Sequence, residues 1–175
     1  MNQLNGKNYT ILLFPQEVDS RKIEKLREAK TGSAMIDGLL PHATLKRRFA
    51  LDGSLTEDEL TKIVADFNIS KFKVTFDRIE KLGNALVVAG NSEYIMQRHE
   101  VLLKMLAEEI ITQDPEYEGG QFKMHMTLLR GNASKADYEK YLSEINFDKL
   151  CLYELDPSAE RLWARKIYCK EFQAV

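Results

Sequence analysis

The feature that most constrains this chain is an order of elements that occurs twice. From Tyr9 to Phe67 the pattern reads strand, helix, strand, helix, and from Ala85 to Ile145 the same order returns. In the first pass "YTILLFP" is a short apolar run closed by proline, as a buried strand is, and "EVDSRKIEKLREAK" spaces Val18, Ile23, Leu26 and Ala29 at helical intervals. "GLLPHATLKRRF" follows as a strand with Pro41 near its start, where a missing donor is tolerable. "SLTEDELTKIVADF" opens a helix on Thr56, with Glu59 at the capping-box spacing. The second pass holds the strand "ALVVAG", a long helix from Ser92 to Ile111, the strand "FKMHMTLLRG" beyond a polar loop, and the helix "SKADYEKYLSEI". "KFKVTFDRIEKL", with Phe72, Val74, Phe76 and Arg78 on one face, links the passes through a turn at Gly83-Asn84. The strands "KLCLYEL" and "RLWARKIYC" finish the chain. This order predicts a single α+β domain over residues 1–175. It is bilobal, two pseudo-symmetric lobes of mainly antiparallel sheet backed by helices, facing each other across a central cleft.

Each lobe gives that cleft one strand of unusual content. "PHATLKRRF" and "MHMTLLRG" each carry a histidine two residues before a threonine, in a chain with only 3 histidines. Side chains alternate along a strand, so His42 shares a face with Thr44, and His125 with Thr127. Lys46 and Arg48 continue the first face if the strand stays regular, with Ala43, Leu45 and Phe49 behind it. Met124, Met126 and Leu128 back the second motif, and Arg130 follows it. Two imidazoles with ordinary pKa values near ~6.5 supply one neutral and one protonated ring near neutrality, the requirement of paired general base and general acid catalysis. Threonine hydroxyls donate to non-bridging phosphate oxygens, and Lys46, Arg48 or Arg130 offset charge that builds there. His42 and His125 are therefore the expected catalytic groups, Thr44 and Thr127 the expected phosphate binders, and the three cations possible substrate contacts. Tyr117, in the glycine-containing loop "DPEYEGGQ", is a further possible contact, stacking on a base. The third histidine, His99, lies on a helical stripe with Ile95, Leu102, Leu106 and Ile110, and reads as a packed residue. No two histidines stand at a ligand spacing, so neither a metal site nor a cofactor is expected.

A formal net charge of −2 argues against a protein that grips long duplex nucleic acid along its backbone. A nucleotide or an RNA end fits better. Cys151 and Cys169 lack C-x-x-C spacing and read as reduced. The start of the chain has no basic region ahead of an apolar run, and no apolar stretch approaches the ~20 residues of a membrane helix, so a cytoplasmic protein without membrane contact is expected; a monomer is expected as well.

The tetrapeptides "HATL" and "HMTL" make the chain resemble the 2H phosphoesterase superfamily, which includes bacterial 2′-5′ RNA ligase-like proteins and 2′,3′-cyclic nucleotide phosphodiesterases. The resemblance extends along the chain in length and element order. It implies a bilobal α+β fold with both histidines in the central cleft, and opening of cyclic phosphates or cleavage of 2′-5′ linkages without metal. The expected activity is accordingly a metal-independent phosphodiesterase acting on a 2′,3′-cyclic phosphate, a 2′-5′ linkage or a cyclic (oligo)nucleotide. The alternatives are the reverse reaction, 2′-5′ RNA ligation, and a non-catalytic protein that binds nucleotides or RNA ends.

Overall fold

The apolar run Asn8–Pro15 forms β1, buried along almost its whole length between two partner strands. A computed structural model describes residues 7–106, 108–131, 133–156 and 163–173 of the chain. Helix α1 (Glu17–Thr31) ends on Gly32 at φ 76°, a left-handed position that glycine takes without penalty, and the Gly32 N–H donates to Glu28 O. Strand β2 (Ala43–Leu51) is followed by helix α2 (Glu57–Asp66), whose Thr56 and Glu59 form the expected capping box, worth about 1 kcal/mol. A hairpin turning at Gly83-Asn84 joins β3 (Phe72–Leu82) to β4 (Ala85–Asn91). Helix α3 (Glu93–Leu106), strand β5 (Ile110–Thr112), strand β6 (Met124–Arg130), strand β7 (Ser143–Asp156) and strand β8 (Trp163–Glu171) complete the order.

Every strand pairing is antiparallel. One sheet runs β1-β2-β6-β4-β3-β7-β8, and an additional pairing of β1 with β7 closes it on itself. Strands β1, β2, β5, β7 and β8 make one lobe, while β3, β4 and β6 make the other, joined through the start of β7. The lobes meet a second time where β2 touches β6, through the single pair Ala43 and Met126. Beyond that pair the two strands part, and the space between them is the cleft.

Four expectations need correction. "SKADYEKYLSEI" is a 3-10 segment over Lys135–Tyr141 that passes into β7 at Ser143. Only Tyr138 of that segment is buried, whereas Ile145 and Phe147 alternate into the core opposite β3. The long helix stops at Leu106, and Ile110–Thr112 adds to the edge of β2 instead. A bulge between Phe76 and Arg78 turns Arg78 off the apolar face of β3 and toward Asn91. Cys151 and Cys169, expected reduced, form a disulfide: the β7–β8 register sets them directly opposite, with their Cα atoms 4.1 Å apart. Residues 1–6, Arg161 and Leu162 lie outside the described residues. Among the described residues no helix is long and apolar enough to cross a membrane.

Candidate active site

The crossing of β2 over β6 builds the site. Ala43 and Met126, the central residues of the two H-x-T motifs, are the paired residues, and both are buried. An antiparallel crossing centred there sets His42 on the side of Thr127 and Thr44 on the side of His125. All four side chains line one cavity of about 420 Å³. The expected quartet is thus brought together, with an approximate two-fold axis through the crossing.

Both imidazoles are held in the same way. His42 Nδ1 lies 2.7 Å from Leu40 O and His125 Nδ1 lies 2.9 Å from Lys123 O, in each case the carbonyl two residues earlier. A carbonyl only accepts, so each Nδ1 carries the proton and Nε2 of the neutral ring keeps its lone pair for the cleft. Burial pushes His42 down to about 4; its bond to Leu40 O opposes this, while Arg27 and His125 add to it. Burial also lowers His125, against the bond to Lys123 O and with help from Arg47. Without a ligand both rings are neutral at neutral pH.

Past the threonines the simple alternation fails, and it fails alike in both strands. Leu12 pairs with Thr44 but Ile11 pairs with Lys46, so Leu45 is an extra residue in β2. Val87 pairs with Thr127 but Leu86 pairs with Leu129, so Leu128 is the extra residue in β6. Each bulge turns two successive side chains inward and re-aims the third. Lys46 is therefore fully buried, donating to Glu118 Oε1 at 2.8 Å and to Thr112 Oγ1 at 3.1 Å, and is not among the cleft residues. The cleft receives Arg47 in its place and, from the other motif, Arg130. "HATLKR" and "HMTLLR" are thus a matched H-x-T-L-x-R pair. The repeated arginine was readable in the sequence, but regular alternation turns it away from the motif face in both strands. Arg48, from a second irregularity before Phe49, also lines the cleft.

The cleft arginines are tethered from the flanks. Arg47 and Arg48 both approach Asp114, at 3.4 Å and 3.3 Å. Arg130 pairs with Asp37 and donates to Asn84 Oδ1 at 3.1 Å. Asp37 sits at φ 54° in a tight turn with Gly38 that offers its carboxylate to the cleft. Tyr117 is 49% exposed and lies under the Arg47 guanidinium, 4.2 Å from the ring centroid. It lines an adjoining cavity of about 500 Å³ that shares Thr44, Arg47, His125, Thr127 and Arg130 with the first. The motif residues therefore stand at the junction of two arms.

His99 plays a different part. It is buried, its Nδ1 donates to Leu45 O at 2.7 Å, and its Nε2 accepts from Gly119 N at 3.1 Å. The ring stacks on Phe122 at 4.2 Å, so it fastens the loop carrying Tyr117 to the bulge of β2. Burial lowers its pKa, and a neutral ring satisfies both bonds. Among the described residues no three His, Cys, Asp or Glu side chains cluster as metal ligands.

Residues 14–159 match the profile of the 2′-5′ RNA ligase superfamily. Over 97% of this chain and 99% of the other, the fold superposes on LigT of E. coli complexed with 3′-AMP, at a TM-score of 0.61 and 14% identity. A crystal structure described as a phosphoesterase gives a TM-score of 0.60 at 14% identity, covering 97% of this chain and 100% of that one. The protein TT0787 of Thermus thermophilus gives 0.53 at 15% identity, over 94% and 97% of the chains. No curated protein matches the sequence significantly.

Proposed function

The chain belongs to the 2′-5′ RNA ligase superfamily, a 2H phosphoesterase family, and from that premise we propose a metal-independent phosphodiesterase acting on a 2′,3′-cyclic phosphate, a 2′-5′ linkage or a cyclic (oligo)nucleotide. The observation that carries the reading is the matched seating of His42 and His125, each with Nδ1 bonded behind it and Nε2 left for the cleft. In the proposed reaction one neutral imidazole takes the proton of an attacking water as its oxygen bonds to phosphorus. The other imidazole, protonated, gives its proton to the ribose oxygen as the P–O bond breaks. Thr44 and Thr127 donate to the non-bridging oxygens, and Arg47 and Arg130 balance their charge after exchanging Asp114 and Asp37 for phosphate. A nucleotide or RNA end is the proposed partner. The two arms meeting at the motifs accommodate groups on both sides of one phosphorus, and the 3′-AMP bound to the similar LigT fold is a ligand of that class.

Turnover of cyclic mononucleotides and 2′-5′ and 3′-5′ dinucleotides, followed chromatographically with EDTA present, tests this directly. Hydrolysis that survives chelation and disappears in His42→Ala and His125→Ala supports the reading. Binding without turnover across the panel would leave a nucleotide-binding protein in its place.

A further inference from the structure

Helix α1 buries an unexpected charge. The apolar spacing pointed to Val18, Ile23, Leu26 and Ala29, but Val18 is 67% exposed and the inner face holds Ser20, Ile23, Leu26 and Arg27. Arg27 is 1% exposed and lines the cleft. Its Nη1 donates to Ala34 O at 3.1 Å and Leu39 O at 3.2 Å, and its Nη2 donates to Thr127 O at 2.7 Å. The Nε donor is buried without a partner. Among the described residues no carboxylate forms an ion pair with it: Glu24 and Asp37 favour its charge only from a distance, Glu24 accepting from the Ser20 hydroxyl and Asp37 engaged by Arg130. Burial lowers its pKa to about 10, which leaves it charged at neutral pH.

A cation buried without a direct ion pair is costly, and neutral carbonyls and distant carboxylates relieve that cost only in part. A helix that needed only packing at this position would carry leucine. The location explains the charge: the guanidinium is bonded to the backbone of one phosphate-binding candidate and acts electrostatically on His42. We propose that Arg27 is a positioning residue of the phosphate site, a buried cation that holds the Thr127 strand and favours an anion between the two motifs. This rests on the reading of the cleft as a phosphodiester site. Arg27 has two consequences there. It orders β6 at the threonine, and its positive potential is left for the incoming phosphate to neutralise. Because it opposes a charge on His42 while the cleft is empty, phosphate binding and His42 protonation become coupled. The other charged groups acting on His42 are His125, which also disfavours its protonation, and Asp37, which favours it.

The test separates charge from scaffolding. Arg27→Gln keeps a donor toward Thr127 O and removes the charge, whereas Arg27→Lys keeps the charge and loses the fork. Inorganic phosphate binding is measured by calorimetry, the His42 titration midpoint by NMR, and the Tm of each full-length variant alongside. The expected result is phosphate affinity that follows charge: about ten- to a hundredfold weaker in Arg27→Gln and within about threefold of wild type in Arg27→Lys. The His42 midpoint should rise in Arg27→Gln and stay put in Arg27→Lys. If Arg27→Gln does not fold, Arg27→Met, which buries no polar group, replaces it. Equal affinities and equal midpoints in charged and neutral variants, or losses in both that track only Tm, overturn the proposal. Wild-type turnover of the dinucleotide panel is scored separately. A protein that binds phosphate through Arg27 but hydrolyses nothing refutes the phosphodiesterase and keeps the anion site, and an active enzyme indifferent to Arg27 does the reverse.

Discussion

Neighbouring basic residues of β2 should respond to the same substitution in opposite ways. Lys46→Met removes a cation that the bulge at Leu45 has sent into the interior. It leaves the Glu118 carboxylate, at 9% exposure, without the donor that now sits 2.8 Å away. Glu118 Oε2 already lacks a hydrogen-bond partner, and His99 Nε2, 3.3 Å away, accepts from Gly119 N and can donate to it only by taking up a proton. Breaking a buried pair from one side costs roughly 3–5 kcal/mol, and for a chain of this size each kcal/mol lowers Tm by about 2–4 °C, giving a fall of roughly 6–20 °C. Arg47→Met removes a half-exposed cation tied to Asp114 and Tyr117, so its stability cost should be below ~1 kcal/mol, while kcat/KM drops by about ten- to a hundredfold through loss of a charge-assisted phosphate contact. Chemical denaturation and steady-state kinetics on the two variants, measured at a temperature where both are folded, give the comparison. The double variant Lys46→Met/Glu118→Leu adds a control: replacing both members of the pair by apolar groups should recover most of the lost stability. A Lys46→Met protein as stable as wild type but as inactive as Arg47→Met would mean that Lys46 faces the cleft and that the bulge does not exist in solution.

The remaining expectations concern the reacting groups. His42→Ala and His125→Ala should each lose ~10²–10⁴-fold in kcat, and the double variant little more than the worse single, because the rings act as a unit; additive losses in single-turnover rates would contradict this. Thr44→Val and Thr127→Val should each lower kcat/KM by about ten- to a hundredfold at unchanged Tm, and wild-type kinetics in both would show that the hydroxyls face away from the ligand. Since both rings are depressed in the free protein, kcat/KM should be bell-shaped with its maximum below about pH 6.5, while kcat, which reports the complex with a phosphate anion, peaks higher. A profile that rises with pH throughout, or collapses in EDTA, would point to a metal-activated water. A His42 that resists protonation down to about 4 contributes stability fully present above ~6.5 and lost as the pH falls through that window, so His42→Asn should flatten the decline in Tm between those values.

Most of the fold was legible because it is local. Apolar runs, the Thr56 capping box and the Gly83-Asn84 hairpin each announce themselves within a few residues, and the first three elements of the repeated order, strand, helix and H-x-T strand, carried the two lobes. The histidines and threonines were legible for the same reason, since a period of two holds over three residues without help from the rest of the molecule. What failed was long-range. The disulfide depends on the register of two strands that the separation of 18 residues does not reveal. The apolar spacing of α1 passes over Arg27 because a charge counts as polar in any periodicity argument, and only the carbonyls of Ala34, Leu39 and Thr127 give it a reason to be inside.

The bulges matter most. In β2 an inserted Leu45 exchanges the fates of Lys46 and Arg47, and in β6 an inserted Leu128 lets Leu129 stay buried while Arg130 emerges. A strict period of two, continued from His42, puts Lys46 and Arg48 on the cleft face; continued from His125, it would put Leu129 there and leave Arg130 among the core side chains. A hydrophobic residue exposed in one strand and an arginine buried in the other are conflicts that neither strand shows at its histidine. Both disappear if one residue is skipped after each threonine. The same local irregularity, made twice, aims a cation at the shared cleft from each lobe, and that repetition ties the arginines to the H-x-T pairs more firmly than charge or neighbourhood alone.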